Sequence, residues 1–157
     1  MKIVILFGTE SGTSEFVAND LADAIADFDD SIEVEVGDMA DRFVGDIDID
    51  ALHLIICATY GEGDLPASAK PFYAELQGER PDLTGLRYAM FGLGDSSYED
   101  TYSQGSEIID AIFTELGATR VGEYGRHDAT GRDDATGVAL TWLEGLQKTV
   151  LTADATA

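Results

Sequence analysis

The chain has 157 residues, 45% of them hydrophobic and 25% charged, which is the composition of a folded globular chain and excludes disordered, collagenous and low-complexity classes. Thirty-one acidic residues against nine basic ones leave a formal net charge of −22, so nucleic acid and anionic membranes are disfavoured as partners and a basic protein surface is favoured. The same charge fits plain solubility or a salt-adapted source, since aspartate outnumbers glutamate and the only lysines are Lys2, Lys70 and Lys148.

The start, MKIVILFGTES, has one lysine and a short apolar run. It lacks the longer apolar segment and cleavage site of a signal peptide, and the expected location is the cytoplasm. Lys2–Phe7 reads as a strand buried on both faces, as in a parallel sheet. Ser14–Phe28 places Phe16, Val17, Leu21, Ala24, Ile25 and Phe28 at helical spacing. Ile32–Val36 alternates strictly and predicts a strand with one wetter face. Leu52–Ala58 is a second buried strand; its Cys57 is the only cysteine, which excludes an internal disulfide and a Cys-rich metal site. Cys57 and His53 read as packing residues of that strand.

Pro66 marks a helix start, with Phe72, Tyr73 and Leu76 behind it. Leu86–Leu93 is a third apolar strand. Ile108, Ile109, Ile112, Phe113 and Leu116 predict a helix that stops at Gly117. Ala118–Tyr124 is read as the last strand. Asp133–Val150, with Val138, Leu140, Trp142, Leu143 and Leu146, is read as the last helix. Residues 1–150 are expected to form one domain, with Leu151–Ala157 as a frayed tail. Five strands alternating with about five helices predict a doubly wound α/β parallel sheet of order 2-1-3-4-5, with helices on both faces. In such a fold the ligand lies at the carboxyl ends of the strands, near the switch point between strands 1 and 3.

The loops at those ends carry the chemistry. Gly8-Thr9-Glu10-Ser11-Gly12-Thr13-Ser14-Glu15 holds four hydroxyls and two glycines at the mouth of a helix. Unpaired backbone N–H groups, the positive end of the helix dipole and added hydroxyl donors make a phosphate cradle. No Gly-Lys-Ser/Thr follows, so it is not a P-loop, and the three-glycine dinucleotide spacing is absent. An ordinary capped helix would look similar. Ala58-Thr59-Tyr60-Gly61-Glu62-Gly63-Asp64-Leu65-Pro66 and Gly92-Leu93-Gly94-Asp95-Ser96-Ser97-Tyr98-Glu99 each combine glycines with a tyrosine. Two aromatics from adjacent loops can stack on one flat ring. The three loops together describe a site for a mononucleotide-like cofactor.

The runs GTESGTSE, ATYGEGDLP and FGLGDSSYE, in this order, resemble the flavodoxin family, and within it the short MioC-like flavodoxins and the FMN domains of diflavin reductases. The resemblance covers nearly the whole chain. It implies FMN as cofactor, with Thr9, Glu10, Ser11, Gly12, Thr13 and Ser14 at its phosphate. It further implies Thr59, Tyr60, Gly61, Glu62 and Gly63 on one side of the flavin ring, and Leu93, Gly94, Asp95 and Tyr98 on the other, with Tyr98 the stacking ring. Tyr102 falls in a segment that contacts flavin or ribityl in relatives, and His127 and Asp128 fall where relatives place an acid near the flavin. Tyr60 and Glu62 give the diflavin-type version of their loop, and Asp95 stands where diflavin relatives often have asparagine. Gly117 to Asp133 leaves no room for the insertion of long-chain flavodoxins.

The function this implies is a carrier that shuttles single electrons from a separate reductase to an acceptor protein, without a substrate site of its own. Its partners would be basic-surfaced redox proteins, such as a flavodoxin reductase and an acceptor enzyme. An FMN-dependent two-electron quinone-type reductase is the alternative. A phosphoacceptor receiver domain shares the topology, but needs acids where Gly8-Thr9 stand and an aspartate where Ala58-Thr59 stand.

Overall fold

The computed structural model describes residues 2–9, 12–42, 44–58, 65–94, 104–128 and 134–148. Its elements are β1 (Lys2–Gly8), α1 (Thr13–Phe28), β2 (Glu33–Asp38), β3 (Leu52–Ala58), α2 (Ala69–Glu79), β4 (Arg87–Gly94), α3 (Gln104–Glu115), β5 (Thr119–Arg120), β6 (Gly125–Asp128) and α4 (Ala135–Leu146). The described residues thus hold four α-helices, with two single turns of 3₁₀ helix at Met39–Asp41 and Val44–Asp46 joining β2 to β3. The expected tail, 151–157, lies outside them.

All strand pairs are parallel, and the order is β2-β1-β3-β4-β5, with β6 continuing on the same side of β4. This is the doubly wound sheet that the alternation of elements predicts. The continuous apolar runs of β1 and β3 follow from their central position, since each strand is covered on both faces. Ile3, Ile5 and Phe7 point to the side packed by Val17, Leu21 and Ile25 of α1 and by Trp142 and Leu143 of α4. Val4 and Leu6 point to the side packed by Phe72 and Leu76 of α2 and by Ile109 and Phe113 of α3. β2 is an edge strand, and its alternation Glu33-Val34-Glu35-Val36 appears as exposed and half-buried residues in turn. α3 runs into Leu116 and Gly117, whose φ of 106° reverses the chain; the Ala118 N–H then returns to the Phe113 carbonyl at 3.0 Å.

Two sequence expectations need correction. The last strand is not one segment over Ala118–Tyr124 but two, separated by residues 121–124. From Tyr88 to Phe91 of β4 the chain advances three residues, while its neighbour advances five, from Arg120 to Gly125. The two extra residues bulge out of the sheet edge, where only one side needs a hydrogen-bonded partner. A cavity of about 750 Å³ lies beside this break, with Val121, Phe91, Trp142, Leu146, Arg87 and Arg126 among its lining residues. Secondly, Phe16 and Phe28 of α1 do not join the core; they are 73% and 48% exposed. The buried stripe of α1 is Ser14, Val17, Ala18, Leu21 and Ile25, and Phe16 lies to one side of it.

Candidate functional site

The strand register brings the candidate loops to one edge. Gly8, the last residue of β1, is level with Cys57 of β3, which is level with Gly92 of β4. One row further, Ala58 pairs with Leu93, and Leu93 with His127; the last row joins Gly94 to Asp128. The chain leaving β1 enters α1 on one face of the sheet, and the chain leaving β3 enters α2 on the other. Where successive chains leave a sheet for opposite faces is the place where an open α/β sheet receives its ligand. Leu93, Gly94 and Asp128 are therefore brought to the same edge as Thr9 and the start of α1. Glu10, Ser11, Thr59, Tyr60, Gly61, Glu62, Gly63, Asp95, Tyr98 and Tyr102 lie outside the described residues.

The first loop can be followed on both sides of residues 10 and 11. Gly8 has little space: a Cβ there would stand 3.0 Å from the Ala69 Cβ and 3.1 Å from the Met39 sulfur. The end of β1 is thus pressed against the start of α2. The Thr9 N–H donates to the Ser68 hydroxyl at 2.7 Å, and the Ser68 N–H donates to the Thr9 carbonyl at 3.2 Å. The Thr9 hydroxyl in turn accepts from the Gly12 N–H at 2.7 Å. Gly12 occupies the N-cap position of α1 with φ 96°, a left-handed conformation that glycine adopts without the Cβ penalty. Among the described residues, its chain neighbours aside, no heavy atom lies within 4 Å of where its Cβ would be.

Gly12 has no side chain to cap the helix, and no side-chain hydrogen bond caps α1 among the described residues. Ser14 follows on the first turn. It is 0% exposed, and its hydroxyl is the one buried side-chain polar atom among the described residues without a hydrogen-bond partner. Buried polar groups are normally paired, because an unmet donor costs free energy. An orphaned hydroxyl beside uncapped N–H groups, in a loop without lysine or arginine, fits an anion held by neutral donors. The residues present therefore suit the phosphate end of a mononucleotide.

Burial favours the neutral form of two titratable side chains of β3. Burial pushes the Cys57 thiol up to about 12, so it stays protonated at the strand end. Burial lowers the pKa of His53, whose Nδ1 lies 3.0 Å from the Ala51 carbonyl at the far end of β3. No cluster of metal-ligating side chains occurs among the described residues. No helix among them is long and apolar enough to cross a membrane. Sequence reasoning missed Ser68. A serine just after Pro66 signals a local helix cap, and nothing in its spacing shows a bond to Thr9 across 59 residues.

Comparison with known proteins agrees with this geometry. The family model described as flavodoxin matches residues 5–142. The NADPH–cytochrome P450 reductase of Candida maltosa is 37% identical over 155 residues, covering 94% of this chain and 22% of the reductase. The human NADPH–cytochrome P450 reductase is 36% identical over 147 residues, covering 91% of this chain and 21% of its own length. The chain thus spans about a fifth of the curated relatives it matches. A flavodoxin from Pseudomonas aeruginosa, solved with one cysteine replaced by alanine, superposes with a TM-score of 0.79 at 30% identity, over 92% of this chain and 95% of that one. On fold, strand-end geometry and these matches, the chain belongs to the flavodoxin family, and its cofactor is FMN.

Proposed function

We propose that this chain carries single electrons from a reductase to an acceptor protein and has no substrate site of its own. FMN, when bound, supplies the electron-accepting and electron-releasing chemistry. The protein binds it, orients it and sets its surroundings. In this reading Thr9, Glu10, Ser11, Gly12, Thr13 and Ser14 hold the phosphate. Thr59 to Gly63 line one side of the ring; Leu93, Gly94, Asp95, Tyr98 and Tyr102 line the other, and Asp128 stands at the edge. The observation that carries the reading is the buried, unpartnered Ser14 hydroxyl at the uncapped start of α1.

The partner chemistry follows from charge. With a net charge of −22, association is steered towards basic surfaces. The aspartates Asp20, Asp23 and Asp27 lie along the exposed side of α1, in line with Phe16. P450 reductases, whose names state delivery of reducing equivalents to a P450, support the acceptor's being a protein.

Titrating apo-protein with FMN, riboflavin and FAD tests the cradle. FMN is expected to bind at least about a hundredfold more tightly than riboflavin, since several donors meet one charged phosphate at roughly 1.5–3 kcal/mol each. FAD should bind more weakly than FMN, because the loop has no cation to bridge a pyrophosphate. Equal affinity for FMN and riboflavin would remove the phosphate site.

A further inference from the structure

Ser68 occupies the N-cap position of α2, with φ −72° and ψ −20°, yet its side chain makes no capping bond to that helix. A serine hydroxyl at an N-cap ordinarily accepts from the second or third N–H of its own helix. Here it accepts from the Thr9 N–H at 2.7 Å instead, and its own N–H returns to the Thr9 carbonyl at 3.2 Å. The α2 N-terminus gives up its local cap, and the hydroxyl is spent on a loop 59 residues away. Such departures from local rules concentrate where function needs a fixed geometry.

The bond leads straight to the cradle. Thr9, held by its backbone to Ser68, uses its own hydroxyl to hold the Gly12 N–H at 2.7 Å. Gly12 then opens α1 and sets the place of Ser14. On the other side, Ser68 is rigidly seated: the Ala69 N–H bonds the Pro66 carbonyl at 3.0 Å, and the Ala69 side chain is fully buried against the end of β1. The chain running back from Pro66 and Leu65 enters the strand-3 loop that begins at Thr59. In sequence Ser68 follows the strand-3 loop, and through its bonds to Thr9 it meets the first loop.

We infer that Ser68 is a positioning residue for the cofactor's phosphate: it fixes Thr9, and through Thr9 and Gly12 the start of α1, without touching the cofactor. This rests on the phosphate reading of that loop. Losing the hydroxyl frees the Thr9 N–H and lets the cradle relax away from the geometry its donors need. The flavin ring, held by the other loops, loses little.

The experiment is a fluorescence titration of apo-protein with FMN and with riboflavin, for the parent, Ser68→Ala and Ser68→Thr, beside thermal unfolding of each apo-protein. Ser68→Ala is expected to weaken FMN about tenfold and riboflavin less than about twofold, the pattern of one lost hydrogen bond at the phosphate end. Ser68→Thr keeps the hydroxyl and is expected to restore the parent's preference. Ser68→Gly also removes the hydroxyl, at an N-cap position that tolerates glycine, and is expected to give the same phosphate-selective loss, which tests the path should Ser68→Ala not fold. A parent that prefers FMN, with a Ser68→Ala variant that keeps the full preference or weakens both flavins equally, overturns the inference alone. A parent that binds riboflavin as tightly as FMN overturns the phosphate reading itself.

Discussion

Replacing Ser14 by alanine is expected to move two measurements in opposite directions. FMN affinity should fall about ten- to hundredfold, because a hydrogen bond to a charged group is worth roughly 1.5–3 kcal/mol. Apo-protein stability should rise, by about 1 kcal/mol, because the substitution removes a buried hydroxyl that has no partner. A side chain that only packs would show loss or indifference in both. Opposite signs mark a group kept for its ligand at the expense of the empty fold. Calorimetric titration with FMN and thermal unfolding of the apo-protein read the two quantities. Unchanged FMN affinity in Ser14→Ala would place the phosphate elsewhere.

The second large effect lies in the core. Gly125 opens β6 beside the Phe91–Trp142 pair, whose ring centroids are 5.3 Å apart. A Cβ at position 125 would stand 2.5 Å from Phe91 and 2.7 Å from Trp142. Both rings line the cavity beside the break, and yielding into it has a cost. Phe91 is fully buried, and the indole N–H of Trp142 donates to the Glu123 carbonyl at 2.8 Å. Gly125→Val is expected to destabilise the fold by about 2–4 kcal/mol, the upper range for overpacking. For a chain of this length that lowers the melting temperature by roughly 5–15 °C. FMN affinity, measured well below the transition, should stay close to the parent's, since Gly125 pairs with Phe91, three residues before the end of β4. A melting temperature within about 2 °C of the parent would mean that the two rings repack at little cost.

What the sequence disclosed depended on how much of each element's environment was local. β1, β3 and β4 are covered on both faces, so continuous apolar runs announced them with nearly correct ends. The edge was harder. Gly125–Asp128 reads Gly-Arg-His-Asp, and an edge segment paired on one side needs no apolar pattern to join a sheet. The two-residue bulge before it is a matter of register, which periodicity does not carry. Phe16 shows a different failure. Its spacing matched the helical template, but the residues in line with it, Asp20, Asp23 and Asp27, are acids. Weighing that stripe against Val17, Leu21 and Ile25 would have put Phe16 outside. At the site, hydroxyls and glycines massed at strand ends were visible because a phosphate cradle needs those residue types together. Ser68 was not, because its role exists only through a hydrogen bond to a residue far away in the chain.

In the proposed function, the flavin passes electrons one at a time. Anaerobic, stepwise reduction of the FMN-loaded protein with dithionite, followed by absorbance at long wavelength, tests it most directly. A net charge of −22 disfavours an anionic flavin and favours a neutral half-reduced one. The expected result is a blue long-wavelength band that grows through the first electron equivalent and disappears through the second. Direct passage from oxidised to fully reduced flavin, with no such band at any point, would contradict it and would favour a two-electron FMN reductase.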